Sequence, residues 1–220
     1  MSPIHSDISF DTGEPGDEET LWPSKENRER ERDRKQLAIL RTAARMFNER
    51  GFAKTSVDEI ASALKVSKPT IYHYFDSKDQ MLLACCRIGF SQMQRAHDRV
   101  RDLPCVGAEK LRQLLVEYAQ IICGDFGGCV ARTDDHELAP QSRVEVRALK
   151  RDFDRTIQSI MSQAVADGSI VTPNVQIASF AVAGALNWMT RWLNAKGPLS
   201  PEVVSEQMVA VLLDGLKPRA

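Results

Sequence analysis

From Leu37 onward the apolar positions recur three and four residues apart almost without interruption, which is the spacing of a helix with one buried face. Leu37, Leu40, Ala44 and Phe47 mark one face of a first helix, and Gly51 stands where a helix commonly ends. Ser56 and Glu59 have the spacing of a capping box and open a short second helix whose apolar face is Val57, Ile60, Ala61 and Leu64. "KVS" then supplies a turn, and Ser67 caps a third short helix with Pro69 in its first turn. On that helix Ile71 and Phe75 point inward, Pro69, Thr70 and His73 lie opposite, and Tyr72 and Tyr74 sit at the edges. Ser77 and Gln80 repeat the capping-box spacing and open a long fourth helix toward Arg101.

Past Pro104 the helical spacing continues to the end. Leu111, Leu114, Leu115 and Tyr118 mark one helix, with Gly124 and the pair Gly127-Gly128 expected to break it. "DDHELAPQS" is expected to be a loop, followed by a helix from about Ser142 to Ala166 that stops at Asp167-Gly168. Thr172-Pro173 is expected to cap the next helix, which runs to about Ala195. Ser200-Pro201 opens a last one that ends near Gly215. No alternating strand pattern competes, so the fold class is all-α. Three helices in about fifty residues, the last two short and joined by a tight turn, form a helix-turn-helix pattern. The expected division is a disordered acidic tail over residues 1–28, a helix-turn-helix DNA-binding domain over 29–78, and a helical ligand-binding and dimerisation domain over 79–220.

Composition adds mainly exclusions. With 43% hydrophobic and 27% charged residues the chain is ordinary for a soluble protein. Its most apolar run, "IASFAVAGALNWM", is short for a membrane span, and the N-terminus lacks the apolar block of a secretory signal. A cytoplasmic protein without membrane partners is expected. The five cysteines form no CxxC pair and are expected to be small core residues rather than a disulfide framework or a metal site.

Charge changes the picture more. Residues 1–24 carry a net −6, residues 25–78 a net +5, and the remainder zero, within an overall formal charge of −1. The positive excess surrounds "VSKPTIYHYFDSK", a stretch that places four rings, several hydroxyls and a lysine on about two helical turns. A major groove admits an α-helix whose polar and aromatic side chains read base edges, while Lys78, Thr55 at a helix start and tyrosine hydroxyls are placed for phosphates. Spacing alone leaves a second reading open, a helical hairpin whose polar face meets only solvent.

"AARMFNERGFAKTSVDEIASALKVSKPTIYHYFDSKDQML" resembles the N-terminal domain of TetR-type transcriptional regulators, with "TIYHYFDSK" its most specific part. The resemblance implies a homodimeric repressor with a DNA-binding head and a variable ligand-binding body. Carried over by position, it assigns recognition-helix roles to Lys68, Pro69, Thr70, Tyr72 and His73, beside the capping Ser67. It assigns phosphate contacts to Thr55, Tyr74 and Lys78. The implied partner is a near-palindromic double-stranded operator.

In the body, residues 177–193 are apolar nearly all round the helix, so burial on both sides is expected, one side on neighbouring helices and the other on a second subunit. Trp188 and Trp192 lie one turn apart with Arg191 between them. A packed helix with a snorkelling arginine is one reading. The other is a ligand tunnel walled by Trp188 and Trp192, in which Arg191 meets an anion. "GALNWMTRW" followed by "GPLSPE" resembles a branch of these regulators for which acyl-CoA or related CoA thioesters of lipid, steroid or aromatic-acid catabolism commonly act as inducers. The resemblance implies Phe180, Trp188 and Arg191 as leading ligand contacts, and the motif residues also suit a dimer interface.

Competing classes are weaker. The chain has no GxSxG, GxxxxGK or HExxH, and the consecutive Asp134, Asp135, His136 and Glu137 cannot all face one ion from a helix. Neither catalysis nor a cofactor or metal is expected. Two alternatives remain: a repressor of an efflux pump that senses hydrophobic drugs, and a helical dimerisation protein without DNA contact.

Overall fold

The computed structural model describes residues 24–194 and 197–215. Their regular structure is entirely helical: α1 (Lys25–Arg50), α2 (Val57–Ala63), α3 (Lys68–Tyr72), α4 (Lys78–Arg101), α5 (Gly107–Cys123), α6 (Asp125–Arg132), a 3-10 turn (Asp135–Glu137), α7 (Pro140–Ala166), α8 (Val175–Trp192) and α9 (Pro201–Asp214). No single described helix is long and apolar enough to cross a membrane.

Internal contacts divide the chain after Lys35. In the first unit, pairs one turn apart support the helix from Lys25 on: Lys25–Glu29, Arg30–Glu26 and Lys35–Glu31. Residues 25–28, counted with the tail in the sequence reading, are therefore helical, and residues 1–23 lie outside the described residues.

In the second unit, α1 buries Ile39, Leu40, Ala43, Ala44, Met46 and Phe47. Leu37, expected on that face, is instead exposed. Gly51 adopts φ +89°, the left-handed conformation that a helix-ending glycine takes without strain. Both halves of the Ser56–Glu59 capping box form, at 2.8 Å and 3.2 Å, and the Ser56 amide holds the Glu59 carboxyl below the usual range. Ser67 and Ser77 cap α3 and α4 as expected.

The body is built round α5. Its N-terminus is closed from a distance: Gly107 N–H donates to Asp167 at 2.6 Å and Ala108 N–H to the Ser169 hydroxyl at 3.0 Å. Tyr118, buried, donates to Asn187 at 2.6 Å and ties α5 to α8. Cys85, Cys86 and Cys129 are core residues and Cys105 and Cys123 are half-buried, and all five are free thiols. Burial pushes the Cys86 thiol up, away from the reactive thiolate.

Three local expectations need correction. Gly124 ends α5 and the chain bends by 91°, but Gly127 and Gly128 do not break the helix. They lie inside α6, where a Cβ on Gly127 would come within 2.1 Å of the Ile121 carbonyl oxygen, so close packing and not flexibility explains them. α7 starts at Pro140 rather than Ser142, because Asp79 of α4 closes its N-terminus, accepting from Ala139 N–H at 2.7 Å and from the Ser142 hydroxyl at 2.5 Å. α8 is capped by Asn174 through the Ile177 N–H at 3.0 Å, not by Thr172, and it ends at Trp192; Ala195, its expected end, lies outside the described residues.

Candidate nucleic-acid interface

α3 is only five residues long, so its position depends on what surrounds it. Inward, Ile71 is fully buried and Phe75 nearly so, fixing the helix on the core of the first three helices. At its start the Ser67 hydroxyl accepts from Thr70 N–H at 3.4 Å and lies 2.8 Å from the Thr70 hydroxyl. The turn from α2 closes with Val66 N–H donating to the Ala61 carbonyl at 3.0 Å. In that turn Lys65 takes φ +56°, an uncommon conformation for a side-chain-bearing residue that the sequence reading did not pick out.

Outward, Lys68, Pro69, Thr70, Tyr72 and His73 are all exposed on one short face, as the sequence reading placed them. Tyr72 is 45% exposed, far more than a core tyrosine needs. Tyr74 is half-buried and packs edge-on against the His73 ring at 5.2 Å, which limits the orientations of both. Lys68 is not a free cation. Its ammonium lies 2.7 Å from Asp58 of α2, and that hydrogen bond raises the Lys68 pKa. Asp58, absent from the sequence reading, thus holds the lysine at the edge of the face. The pair is exposed and easily exchanged for an external anion.

Two of the expected phosphate contacts are committed elsewhere. Thr55 is buried, and its hydroxyl donates to the Gly51 carbonyl at 2.9 Å with the Met46 carbonyl at 3.3 Å, closing the end of α1. The Lys78 ammonium donates to the Phe52 and Thr55 carbonyls at 2.8 and 2.9 Å and sits 4.2 Å above the Phe52 ring. Both side chains fasten the loop between α1 and α2, Thr55 from within it and Lys78 from 23 and 26 residues further on, a role that the spacing of Lys78 along the chain does not reveal. Lys78→Met should therefore lower stability by about 2 kcal/mol, the order of two carbonyls left without their charged donor. In chemical denaturation this appears as an earlier midpoint. An unchanged midpoint with weaker DNA binding would restore Lys78 to phosphate contact.

The body residues are placed differently from the tunnel reading. On α8, Ala178, Ser179, Val182, Ala183, Leu186, Met189 and Thr190 are buried. Phe180 is 51% exposed, Trp188 65% and Trp192 49%, and Arg191 is exposed as well. Only one side of α8 is buried within the chain, and the three aromatic residues stand on the other. Arg191 lines a surface pocket of about 300 Å³ with Arg132 and Thr190. An apolar pocket of similar volume, about 300 Å³, lies between α4 and α7 and is lined by Phe90, Leu149 and Phe153 with Arg87 and Gln94 at its polar side. Asp135 is taken by Lys150 at 2.6 Å and Arg147 at 3.0 Å, and no group of three metal-ligating side chains occurs among the described residues.

Comparison with known proteins agrees with this arrangement. Residues 39–85 match the bacterial regulatory proteins of the tetR family, and residues 106–216 match the tetracyclin repressor-like C-terminal domain. The HTH-type transcriptional repressor KstR2 of Mycolicibacterium smegmatis is 28% identical over 184 residues, which is 81% of this chain and 88% of that protein. Among solved structures, the regulator PfmR of Thermus thermophilus superimposes with a TM-score of 0.73 at 28% identity, covering 82% of this chain and 99% of that one. AibR, solved in complex with isovaleryl coenzyme A and operator DNA, gives a TM-score of 0.71 at 26% identity over 80% of this chain and 96% of that one.

Proposed function

The chain belongs to the tetR family of bacterial regulatory proteins, DNA-binding regulators and not enzymes, and from that premise we propose that it is a ligand-released repressor acting as a homodimer on a near-palindromic operator in the cytoplasm. In this reading the head is residues 29–78 and the body residues 79–220. The observation that carries the reading is the α3 face: five exposed side chains able to meet bases and backbone, on a helix anchored by buried Ile71. Two such helices, one per subunit, enter successive major grooves about 34–36 Å apart or a multiple of it. Lys68, Pro69, Thr70, Tyr72 and His73 face the groove, with Ser67 at the cap and Tyr74 at the edge. Thr55 and Lys78 contribute by holding the head together.

The effector is proposed to be an acyl-CoA or related CoA thioester. KstR2 is named a transcriptional repressor, and AibR is a structural neighbour solved with such a thioester. The apolar pocket between α4 and α7 suits an acyl group, whereas exposed Phe180, Trp188 and Trp192 suit a subunit interface. Release requires that the ligand bind the DNA-incompetent spacing of the heads more tightly than the competent one.

The test is His73→Ala in a DNA-binding titration, using an operator selected from genomic fragments and a random duplex. Specific affinity should fall by about 1–3 kcal/mol while random affinity stays. Equal losses on both duplexes would place His73 outside base recognition.

A further inference from the structure

A groove of about 550 Å³ opens between α1, α4 and the bend from α5 to α6. Four arginines stand round it, Arg41 and Arg45 from α1 and Arg95 and Arg99 from α4, against two carboxylates, Glu117 and Asp125. Arg45 is paired with Asp125 at 3.0 Å, and Arg99 forms a two-pronged pair with Glu117. The other two guanidinium groups have no carboxylate among the described residues. Arg95 donates to the neutral Ser91 hydroxyl at 2.6 Å, and Arg41 makes no ion pair there. Counting these six side chains, the groove carries a formal +2 in a space large enough for a small molecule. Its inner side is apolar, with Phe126 buried and Ile121 half-buried.

We propose that this groove is an effector site for a small molecule bearing a diphosphate, with the phosphoryl oxygens held by Arg41 and Arg95 and an apolar part laid on Phe126 and Ile121. Guanidinium groups fix phosphate through pairs of N–H donors, and like charges gathered without counter-charges are costly until an anion joins them. Two arginines without carboxylate partners, one from α1 and one from α4, suit two linked phosphoryl groups better than one. The paired Arg45 and Arg99 can swing to the same ligand at little cost, because their partners are surface carboxylates. A ligand bridging the walls fastens α1, the first helix of the head, to α4, the helix that leaves it. Occupancy thereby bears on how the head is held.

This site does not depend on the effector named above. If that effector is a CoA thioester, the diphosphate of coenzyme A is the part that belongs here. The test is isothermal titration at a fixed salt of about 0.15 M with inorganic pyrophosphate, coenzyme A and phosphate-free pantetheine. It compares the full chain with the double variant Arg41→Gln, Arg95→Gln, which breaks no carboxylate pair. Pyrophosphate should bind saturably once per chain, pantetheine should be at least about tenfold weaker than coenzyme A, and the variant should lose about tenfold or more for both phosphate ligands. Its melting temperature and its affinity for operator without ligand should match the parent.

Binding of pyrophosphate but not of coenzyme A would keep the site and remove the CoA thioester as its ligand. Wild-type strength in the variant, or no saturable binding of pyrophosphate, would overturn the proposal. So would an equal loss of operator affinity without ligand, which would assign the arginines to DNA.

Discussion

Replacing Phe180 and Trp188 together with aspartate should turn a dimer into a monomer and remove operator binding at concentrations that saturate the parent. The exposed apolar side chains of α8 fall on one stripe: Ile177, Phe180, Trp188 and Trp192, with Gly184 at its middle where an added Cβ meets nothing within 4 Å. On α9 Val203 and Val211 are exposed as well. A monomer seldom leaves so much contiguous aromatic and aliphatic surface to water. A two-fold axis places the same patch on both partners, so each substitution is felt twice. Tryptophan at the centre of an interface commonly accounts for about 2 kcal/mol or more. The double variant thus loses at least about 4 kcal/mol from subunit association, roughly a thousandfold in the dimer constant. Light scattering after size exclusion measures the mass, and a DNA titration measures the consequence. A variant that stays dimeric would move the interface elsewhere, and a parent that is monomeric would remove the two-fold reading of the operator.

That stripe also shows where the sequence was informative and where it was not. The periodicity of residues 177–193 announced a helix apolar on both sides, but periodicity cannot say whether the second side meets the same chain or another. Within the chain the answer is exposure. Local signals fared better. The Ser56–Glu59 box, the Ser67, Ser77 and Ser200 caps and the Gly51 stop depend on residues at most four apart, and all five form. So do the buried Ile71 and Phe75 and the exposed face opposite them.

Lys78 and the start of α7 were placed differently because their partners lie far along the chain. Lys78 is engaged by the carbonyls of Phe52 and Thr55, 26 and 23 residues before it, which it reaches only once α4 has met the loop between α1 and α2. α7 gained its early start from Asp79, sixty residues before Ala139. The four arginines of the groove sit on two helices separated by some fifty residues, so no stretch of sequence shows them together. The resemblance to a family supplied the role of the head, and geometry then separated the residues that face outward from those that brace it.

Gly127→Ala should cost about 3 kcal/mol of stability, at the upper end of what overpacking usually costs. A Cβ there would lie 2.1 Å from the Ile121 carbonyl oxygen and 2.5 Å from its carbon, and these are backbone atoms that cannot rotate aside. α6 would have to shift as a body, yet it is wedged on its other sides. A Cβ on Gly128 would meet the Asn48 amide at 2.7 Å, and one on Gly89 of α4 would meet the Phe126 carbonyl at 2.9 Å. The helix also carries the head's attachments to the body. Asp125 pairs with Arg45 at 3.0 Å, the Asn48 side chain donates to the Asp125 carbonyl at 2.7 Å, and Arg132 donates to the Asn48 carbonyl at 2.8 Å. Arg132 reaches the Thr190 carbonyl of α8 too, so one short helix connects α1 with α8. Displacing α6 should therefore weaken operator binding beyond the loss of folded protein. Chemical denaturation at matched protein concentration gives the first quantity, and a DNA titration of the folded fraction gives the second. A cost below about 1 kcal/mol would mean that α6 slides freely against α5, and would remove it as a rigid link between α1 and α8.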